Sequence, residues 1–358
     1  MTTRIIVWGT GNVGRLGLHT VIARPDFELV GVVVSSPAKV GVDAGELIGL
    51  GPVGVACTDD VGPLLDLPEG ERPEVCAYFA SADIRPGEAA ADMARCLEAG
   101  LDVVSTSIVP LLYPPAADQA MVAMLDAACK AGNTSMFTNG VDPGWANDLL
   151  PLMLAGTCER IDSIRMMEVV NYATYDAASV LFDTMGFGKP MDETPLLLLP
   201  GILTHAWGPV VRVVAAGLGV ELDDIEEWYE RVPAERDIEV DAGTVAEGTA
   251  GALRFEVRGM VYGKARVILE HVTRLADEQM PEWPQPVGSG CYRVVIEGNP
   301  SMTVDVAAHG EDGDHNTGNL VSTVGRVLNA IPAVQAAEPG LLSVLDLPLQ
   351  TGTGTMFG

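Results

Sequence analysis

Near its start the chain reads Gly9-Thr10-Gly11-Asn12-Val13-Gly14, directly after the apolar run Ile5–Trp8. Glycines at this spacing, between a strand and a helix, let the backbone turn tightly and approach a pyrophosphate. The helix start adds free N–H groups and a favourable dipole. That is the chemistry of a dinucleotide cradle. A second apolar run, Leu29–Val34, ends in Ser35-Ser36-Pro37-Ala38-Lys39, with no acid before Asp43. NAD-specific sites place Asp or Glu here on the ribose hydroxyls, whereas two hydroxyls and a lysine suit a 2′-phosphate. NADP is the expected cofactor, with NAD possible; the alternative is that Ser35-Ser36-Pro37 is only a turn. Small or polar residues end three further runs: Ala80-Ser81, Ser105-Thr106-Ser107 and Thr138-Asn139. Ligands of open α/β sheets bind beyond the carboxyl ends of strands. Ala80, Ser81, Ser105, Thr106, Ser107 and Asn139 therefore join the candidate cofactor contacts.

A nicotinamide brings the hydride, so the protein has to hold the acceptor and manage one proton. The polar cluster Glu168-Val169-Val170-Asn171-Tyr172-Ala173-Thr174-Tyr175-Asp176 offers the groups. Tyr172 and Tyr175 can donate a phenolic proton, and Glu168 can act as an acid. Strand alternation puts Glu168, Val170 and Tyr172 on one face and Val169, Asn171 and Ala173 on the other. The alternative for strand tyrosines is half-buried packing. Asp142, Trp145 and Asn171 are candidate substrate contacts, with Asp142 alternatively capping a helix. Phe182, Met185, Phe187 and Trp207 are candidate pocket walls beside Trp145, and 185–189 reads as a mobile lid or a plain loop. The histidines (five) are scattered without pairing, and no two of the six cysteines have CxxC spacing. No metal site is expected, and free thiols are.

These residues need elements to position them. Ile5–Trp8, Leu29–Val34, Val75–Phe79, Leu101–Val104 and Ser135–Phe137 read as strands. Gly87–Ala99 and Ala117–Ala131 read as helices ending at Gly100 and Gly132. The alternation predicts a doubly covered parallel sheet. After Pro143 the texture changes. Trp145–Leu154 and Pro209–Gly219 read as helices, and Ile161–Val170 as a long strand. Phe255–Met260, Ala265–His271, Tyr292–Glu297 and Met302–Ala308 follow as β runs. Glu221–Asp241, with ten acids, reads as a solvated face or loop. A helical pattern returns from Asn319 and is expected to lie back on the first domain, with Gly352–Gly358 frayed. The expected division is 1–142 for dinucleotide binding, 143–318 for an α+β substrate and dimerisation domain with an open, largely antiparallel sheet, and 319–358 for a returning segment.

With 358 residues, 48% of them hydrophobic, the chain is long enough for a real core. Its 49 acids against 21 bases give a net charge of −28, which opposes nucleic acid and anionic lipid. No apolar run approaches a membrane span, and no leader is visible at Met1–Thr10. A cytoplasmic setting, with no nucleic-acid or membrane partner, is expected.

The chain resembles the dihydrodipicolinate-reductase-like superfamily, in the branch of 2,4-diaminopentanoate dehydrogenase and the native amine dehydrogenases. The resemblance rests on Trp8–Gly14, Lys39-Val40-Gly41-Val42-Asp43-Ala44-Gly45-Glu46, Asn139-Gly140-Val141-Asp142-Pro143-Gly144, and Asn329-Ala330-Ile331-Pro332-Ala333-Val334 with Pro339-Gly340 and Asp346-Leu347-Pro348. It covers essentially the whole length. It implies a Rossmann domain, a second α+β domain whose sheet forms a homodimer, and hydride transfer from NAD(P)H to a C=N or C=O carbon; the apolar pocket walls point to a small hydrophobic substrate. The His-His segment of the reductases is missing. In the amine dehydrogenases a glutamate follows the Ser-Thr strand end; here Ile108–Tyr113 holds no acid. Amine dehydrogenase or imine reductase chemistry is the leading expectation. The alternatives are carbonyl reduction, oxidation of an amino or hydroxy compound without ammonia, and a silent NADP-binding dimer.

Overall fold

The structure is a computed structural model that describes residues 2–356. The chain divides into two compact units, Met1–Gly140 with Leu320–Gly358, and Val141–Asn319.

The first unit is built on β1 (Thr3–Trp8), β2 (Phe27–Val33), β3 (Cys57–Thr58), β4 (Val75–Tyr78), β5 (Asp102–Ser105) and β6 (Ser135–Thr138). The strand Gly340–Leu342 completes a seven-stranded sheet, in the order Gly340–Leu342, β6, β5, β4, β1, β2, β3. Every pairing is parallel. The runs are apolar without alternation because both faces are covered: all of Val75-Cys76-Ala77-Tyr78 is buried. Ile5 and Val7 face one apolar layer with Leu18, Val324, Leu328 and Ile331, and Ile6 and Trp8 face another with Met93, Leu97 and Leu125. The helices Asn12–Ala23, Pro86–Glu98 and Gln119–Gly132 connect the strands. Strand order reverses at β1, which lies between β2 and β4, so the crevice beyond their carboxyl ends is the place for a ligand.

The second unit carries β7 (Arg160–Asn171), β8 (Asp224–Pro233), β9 (Ile238–Val240), β10 (Gly243–Val245), β11 (Ala250–Val261), β12 (Lys264–Arg274), β13 (Gly290–Asn299) and β14 (Met302–Val306). Six of these form one sheet, ordered β14, β13, β7, β12, β11, β8, with only the β7–β12 pair parallel. The helix Ile202–Gly217 packs on β8, β11 and β12. Gly259 permits this close approach, since a Cβ there would lie 2.6 Å from Val211 Cγ1.

Several expectations change. The acidic stretch is not a loop, because β8 pairs with β11 along its whole length. Its Glu227 carboxylate accepts from Gly201 N (3.0 Å) and Thr204 N (2.6 Å) at the start of the helix Ile202–Gly217. That helix begins seven residues before the expected Pro209, which sits inside it. The expected helix at Trp145 begins only at Leu149, because 142–148 is a run of turns with Gly144 at φ +148. Asp148, not Asp142, caps it. Phe187 and Met185 are buried core residues rather than lid surface. The C-terminal stretch is held as far as Thr353, whose carbonyl accepts from the buried Arg24 at 2.9 Å; Phe357 and Gly358 lie outside the described residues.

Candidate active site

In the first unit the three glycines have three separate jobs. Gly9 has φ +98, and a Cβ there would lie 2.5 Å from Ala80 N, so the turn and the passage of the β4 end both require it. A Cβ at Gly14 would lie 2.1 Å from the Gly9 carbonyl oxygen, so helix and loop meet there. Around Gly11 nothing lies within 4 Å of the Cβ position. Gly11 also stands at the N-terminus of the helix Asn12–Ala23 with no side chain capping it. Open space against free helix N–H groups fits a pyrophosphate. Lys39 folds onto the same loop, its Nζ 3.0 Å from Thr10 Oγ1 and 3.1 Å from Thr10 O, while Ser35 is exposed and Ser36 half-buried. Asn12 and Val13 open the helix.

The later strand ends divide into occupied and open groups. Ser105 Oγ accepts from Ser107 N at 2.9 Å, and Ser107 Oγ donates to the Ala80 carbonyl; both serines are buried. Asn139 is buried, and its Oδ1 accepts from Arg326 Nε at 2.9 Å. These three side chains brace the strand ends. Thr106 and Ala80 are half-buried and Ser81 is exposed, with its hydroxyl 3.0 Å from Asp83.

In the second unit a buried cluster surrounds His271. Its Nδ1 lies 3.3 Å from Glu168 and its Nε2 3.3 Å from Asp142. Trp207 Nε1 donates to Asp142 at 3.0 Å, and Tyr172 Oη donates to Glu168 at 2.7 Å. Phe255 stacks on the imidazole at 4.7 Å, and Trp207 meets it edge-on. Register explains the grouping: His271 pairs with Glu168, and Glu168 with Tyr292, on three adjacent strands. Burial alone would discharge His271. Asp142 first and Glu168 second outweigh it and push its pKa up to about 10. Burial works against the Asp142 carboxylate too, but His271, helped by Asn147 and Trp207, holds it below its usual range. Burial, then Glu168, raises both Tyr172 and Tyr175, so both keep their protons.

Glu168 and Tyr172 therefore share one face. Tyr175 stacks on Tyr172 at 5.0 Å, and Trp145 packs with Val141, Ala146 and Tyr292. Asp142 is not a cap but one wall of the cluster. Asn171 is placed elsewhere: its Nδ2 donates to Asp277 at 2.7 Å and its Oδ1 accepts from Ala173 N. In the sequence the histidine that joins these groups stands unpaired, since its partners lie far away along the chain. Its one signal is a polar pair, Glu270-His271, inside the apolar run Val267–Val272. Asp142, Glu168 and His271 form the one carboxylate–histidine group of metal-ligand type among the described residues, but each imidazole nitrogen faces a different carboxylate.

The sequence model of the 2,4-diaminopentanoate dehydrogenase C-terminal domain matches residues 145–356, and that of the dihydrodipicolinate reductase N-terminus matches 3–104. An amine dehydrogenase from Streptomyces virginiae is 43% identical, over 98% of this chain and 98% of that protein. A 2,4-diaminopentanoate dehydrogenase from Acetoanaerobium sticklandii is 23% identical, over 97% of this chain and 93% of the relative. The solved amine dehydrogenase of Mycobacterium smegmatis superposes with a TM-score of 0.77 at 22% identity, covering 98% of this chain and 97% of that one, which is a likeness of fold. No helix among the described residues is long and apolar enough to cross a membrane.

Proposed function

The chain belongs to the 2,4-diaminopentanoate dehydrogenase family of NAD(P)-dependent oxidoreductases acting on C=N substrates, and on that premise we propose an amine dehydrogenase that interconverts a small hydrophobic carbonyl compound and its primary amine. The observation that carries this reading is His271 held between Asp142 and Glu168, with the Tyr172 hydroxyl on Glu168 and Tyr175 stacked on Tyr172. A bound nicotinamide supplies the hydride in one direction and takes it in the other. The first unit's part is to bind: the open face at Gly11 takes the pyrophosphate. The second unit's part is the proton. Tyr175 donates its phenolic proton to the oxygen that leaves as C=N forms, with Tyr172 stacked behind it. Glu168 stands in for the acid missing from Ile108–Tyr113 and holds the nitrogen. Trp145 and Trp207 offer apolar surface.

The test is NADPH absorbance with a panel of small hydrophobic ketones, with and without ammonium. We expect consumption only with ammonium; equal consumption without it makes the protein a carbonyl reductase.

Two finer readings belong to this proposal. NADPH is preferred over NADH, supported by Lys39 lying on the glycine loop and by no acid at the β2 end. Lys39→Ala and Ser35→Asp should each raise KM for NADPH about tenfold more than KM for NADH; an unchanged ratio removes the reading. The protein works as a homodimer in a reducing cytoplasm, supported by six unpaired cysteines and by the half-exposed sheet face carrying Arg165, Arg254 and Arg258. Sedimentation at a single subunit mass would remove the dimer.

A further inference from the structure

The cluster around His271 is out of balance in charge and in hydrogen bonding. Among the described residues, the ion pairs of Asp142 and Glu168 are with His271 alone. Two carboxylates thus share one imidazolium, and one buried negative charge has no cation to match it, which a low-dielectric interior tolerates poorly. Glu168 accepts from Tyr172 Oη, from Asn319 Nδ2 at 3.1 Å and faces His271 Nδ1, as a carboxylate does.

Beside it lie three buried polar atoms with no hydrogen-bond partner among the described residues: Tyr292 Oη, His315 Nε2 and Asn319 Oδ1. Tyr292 and His315 are each 1% exposed. Strand register relates Tyr292 to Glu168, and one helix carries His315 and Asn319. Tyr292 stands opposite Glu168 across the β13–β7 ladder. Gly290, two residues earlier on the same face, lies beneath the His315 ring; a Cβ there would come within 2.3 Å of Cδ2. The Tyr292 and His315 ring centroids are 5.5 Å apart. His315 and Asn319 are one turn apart on the helix His315–Gln335 and share a face. The leftover capacity is accepting. His315 Nδ1 is 2.8 Å from the Ala308 carbonyl, so it carries the proton and Nε2 presents a lone pair. Asn319 spends its amide on Glu168 and presents its oxygen. The Tyr292 hydroxyl can accept as readily as donate.

Acceptors converging beside an unmatched negative charge specify a compact cation that carries N–H bonds. We infer that Tyr292, His315 and Asn319 form a receptor for an –NH3+ group, with Glu168 as its counter-ion. The group is either free ammonium or the protonated amine of the substrate. Potassium has the charge but no N–H for the imidazole lone pair, and its preference is for oxygen ligands. The inference deepens the amine reading by naming the residues that hold the nitrogen, and for its role in turnover it rests on that reading.

Thermal melting of the full chain at constant ionic strength, in potassium, ammonium or methylammonium chloride, tests it. Wild type should melt about 2 °C higher in ammonium than in potassium. The same gain with methylammonium assigns the site to the substrate amine, and a gain with ammonium alone assigns it to the free ion. Tyr292→Phe removes an unsatisfied buried hydroxyl, so it should raise the melting temperature in potassium chloride and abolish the ammonium gain. A purely structural tyrosine, or one bound only to an ordered water, does the opposite: the variant melts lower and ammonium has no special effect. In turnover, Tyr292→Phe and His315→Gln should each raise KM for ammonium about tenfold, with KM for the ketone unmoved. No ammonium gain in wild type, or a gain that survives in Tyr292→Phe, overturns the receptor. The melting arms need no turnover. Ammonium binding without NADPH consumption would remove the reaction and leave the receptor; ammonium-dependent turnover with unshifted melting would do the reverse.

Discussion

The two faces of the second sheet bury charge in opposite ways. On one face Glu256 meets Arg165 (2.7 Å) and Arg258 (2.5 Å), and Glu270 meets Arg254 (2.7 Å) and Arg165. Trp228 lies against both Arg254 and Arg258. Glu270 there has two guanidiniums and Glu256 has three, counting Arg254 at 4.0 Å; each of these arginine side chains is about a quarter exposed, and a guanidinium stays charged across the physiological range. On the other face His271 is one titratable cation between two carboxylates, sealed by Phe255 and Trp207. Glu270 and His271 are consecutive residues pointing opposite ways from one strand. The matched network holds shape under any ordinary condition. The unmatched one has orphan acceptors beside it and a proton held far from its usual pKa, which is how a sheet carries a site rather than a brace.

The hardest blow to this contrast is His271→Leu. It leaves Asp142 and Glu168 facing each other across a buried gap, and urea unfolding near pH 7 should show a loss of about 3–5 kcal/mol. A loss below about 1 kcal/mol would mean that the two faces do not differ. Next, Tyr175→Phe should cut turnover by about a hundredfold, the worth of a positioned acid, with stability nearly unchanged. Full turnover in this variant takes the hydroxyl out of the chemistry. A third test uses pH. The pKa of His271 is about 10 in the folded chain against 6.5 for an unperturbed histidine, so the folded state binds the extra proton between those values. Its stabilisation is complete below about pH 6.5 and is lost as pH rises toward 10. Between pH 7 and 8 the wild type should lose about 1 kcal/mol more than His271→Leu does. Parallel pH curves for the two proteins would show the imidazole uncharged.

Sequence reading reached the first unit well because its chemistry is local. Gly9, Gly11 and Gly14 serve one turn within six residues, and the strands show as unbroken apolar runs. Glu168, Tyr172 and Tyr175 stand out in the sequence for the same reason, as one polar cluster at the end of a single strand run. Sequence reading missed His271 as their partner because Asp142, Glu168 and His271 come from a turn and two strands that only the sheet order β13, β7, β12 brings side by side. Asp142 reads as a cap for a related reason: the run Asp142-Pro143-Gly144 looks like a helix entry, yet Gly144 at φ +148 turns the chain first. Asn139, Ser105 and Ser107 read as ligand contacts from their place at strand ends. Nothing local shows that Arg326, nearly two hundred residues later, occupies Asn139. The acidic stretch of β8 misled through composition: exposed acids on an edge strand look like a solvated loop until pairing with β11 is known.

The smallest expected effect falls on the matched face and sharpens the comparison from its quiet side. Arg165→Met removes the guanidinium that both Glu256 and Glu270 share. Each carboxylate keeps an arginine of its own, Arg258 for Glu256 and Arg254 for Glu270. No carboxylate is stranded, and the methionine covers the apolar surface that the arginine stem covered. In a single subunit, where the Arg165 side chain is 29% exposed, solvent screening further weakens what is lost. Unfolding free energy, measured at one fixed protein concentration, should therefore fall by about 1 kcal/mol or less, and turnover should not change. A loss as large as that of His271→Leu would mean that the arginines carry an unmatched charge after all, and that one-to-one pairing does not separate a brace from a site on this sheet.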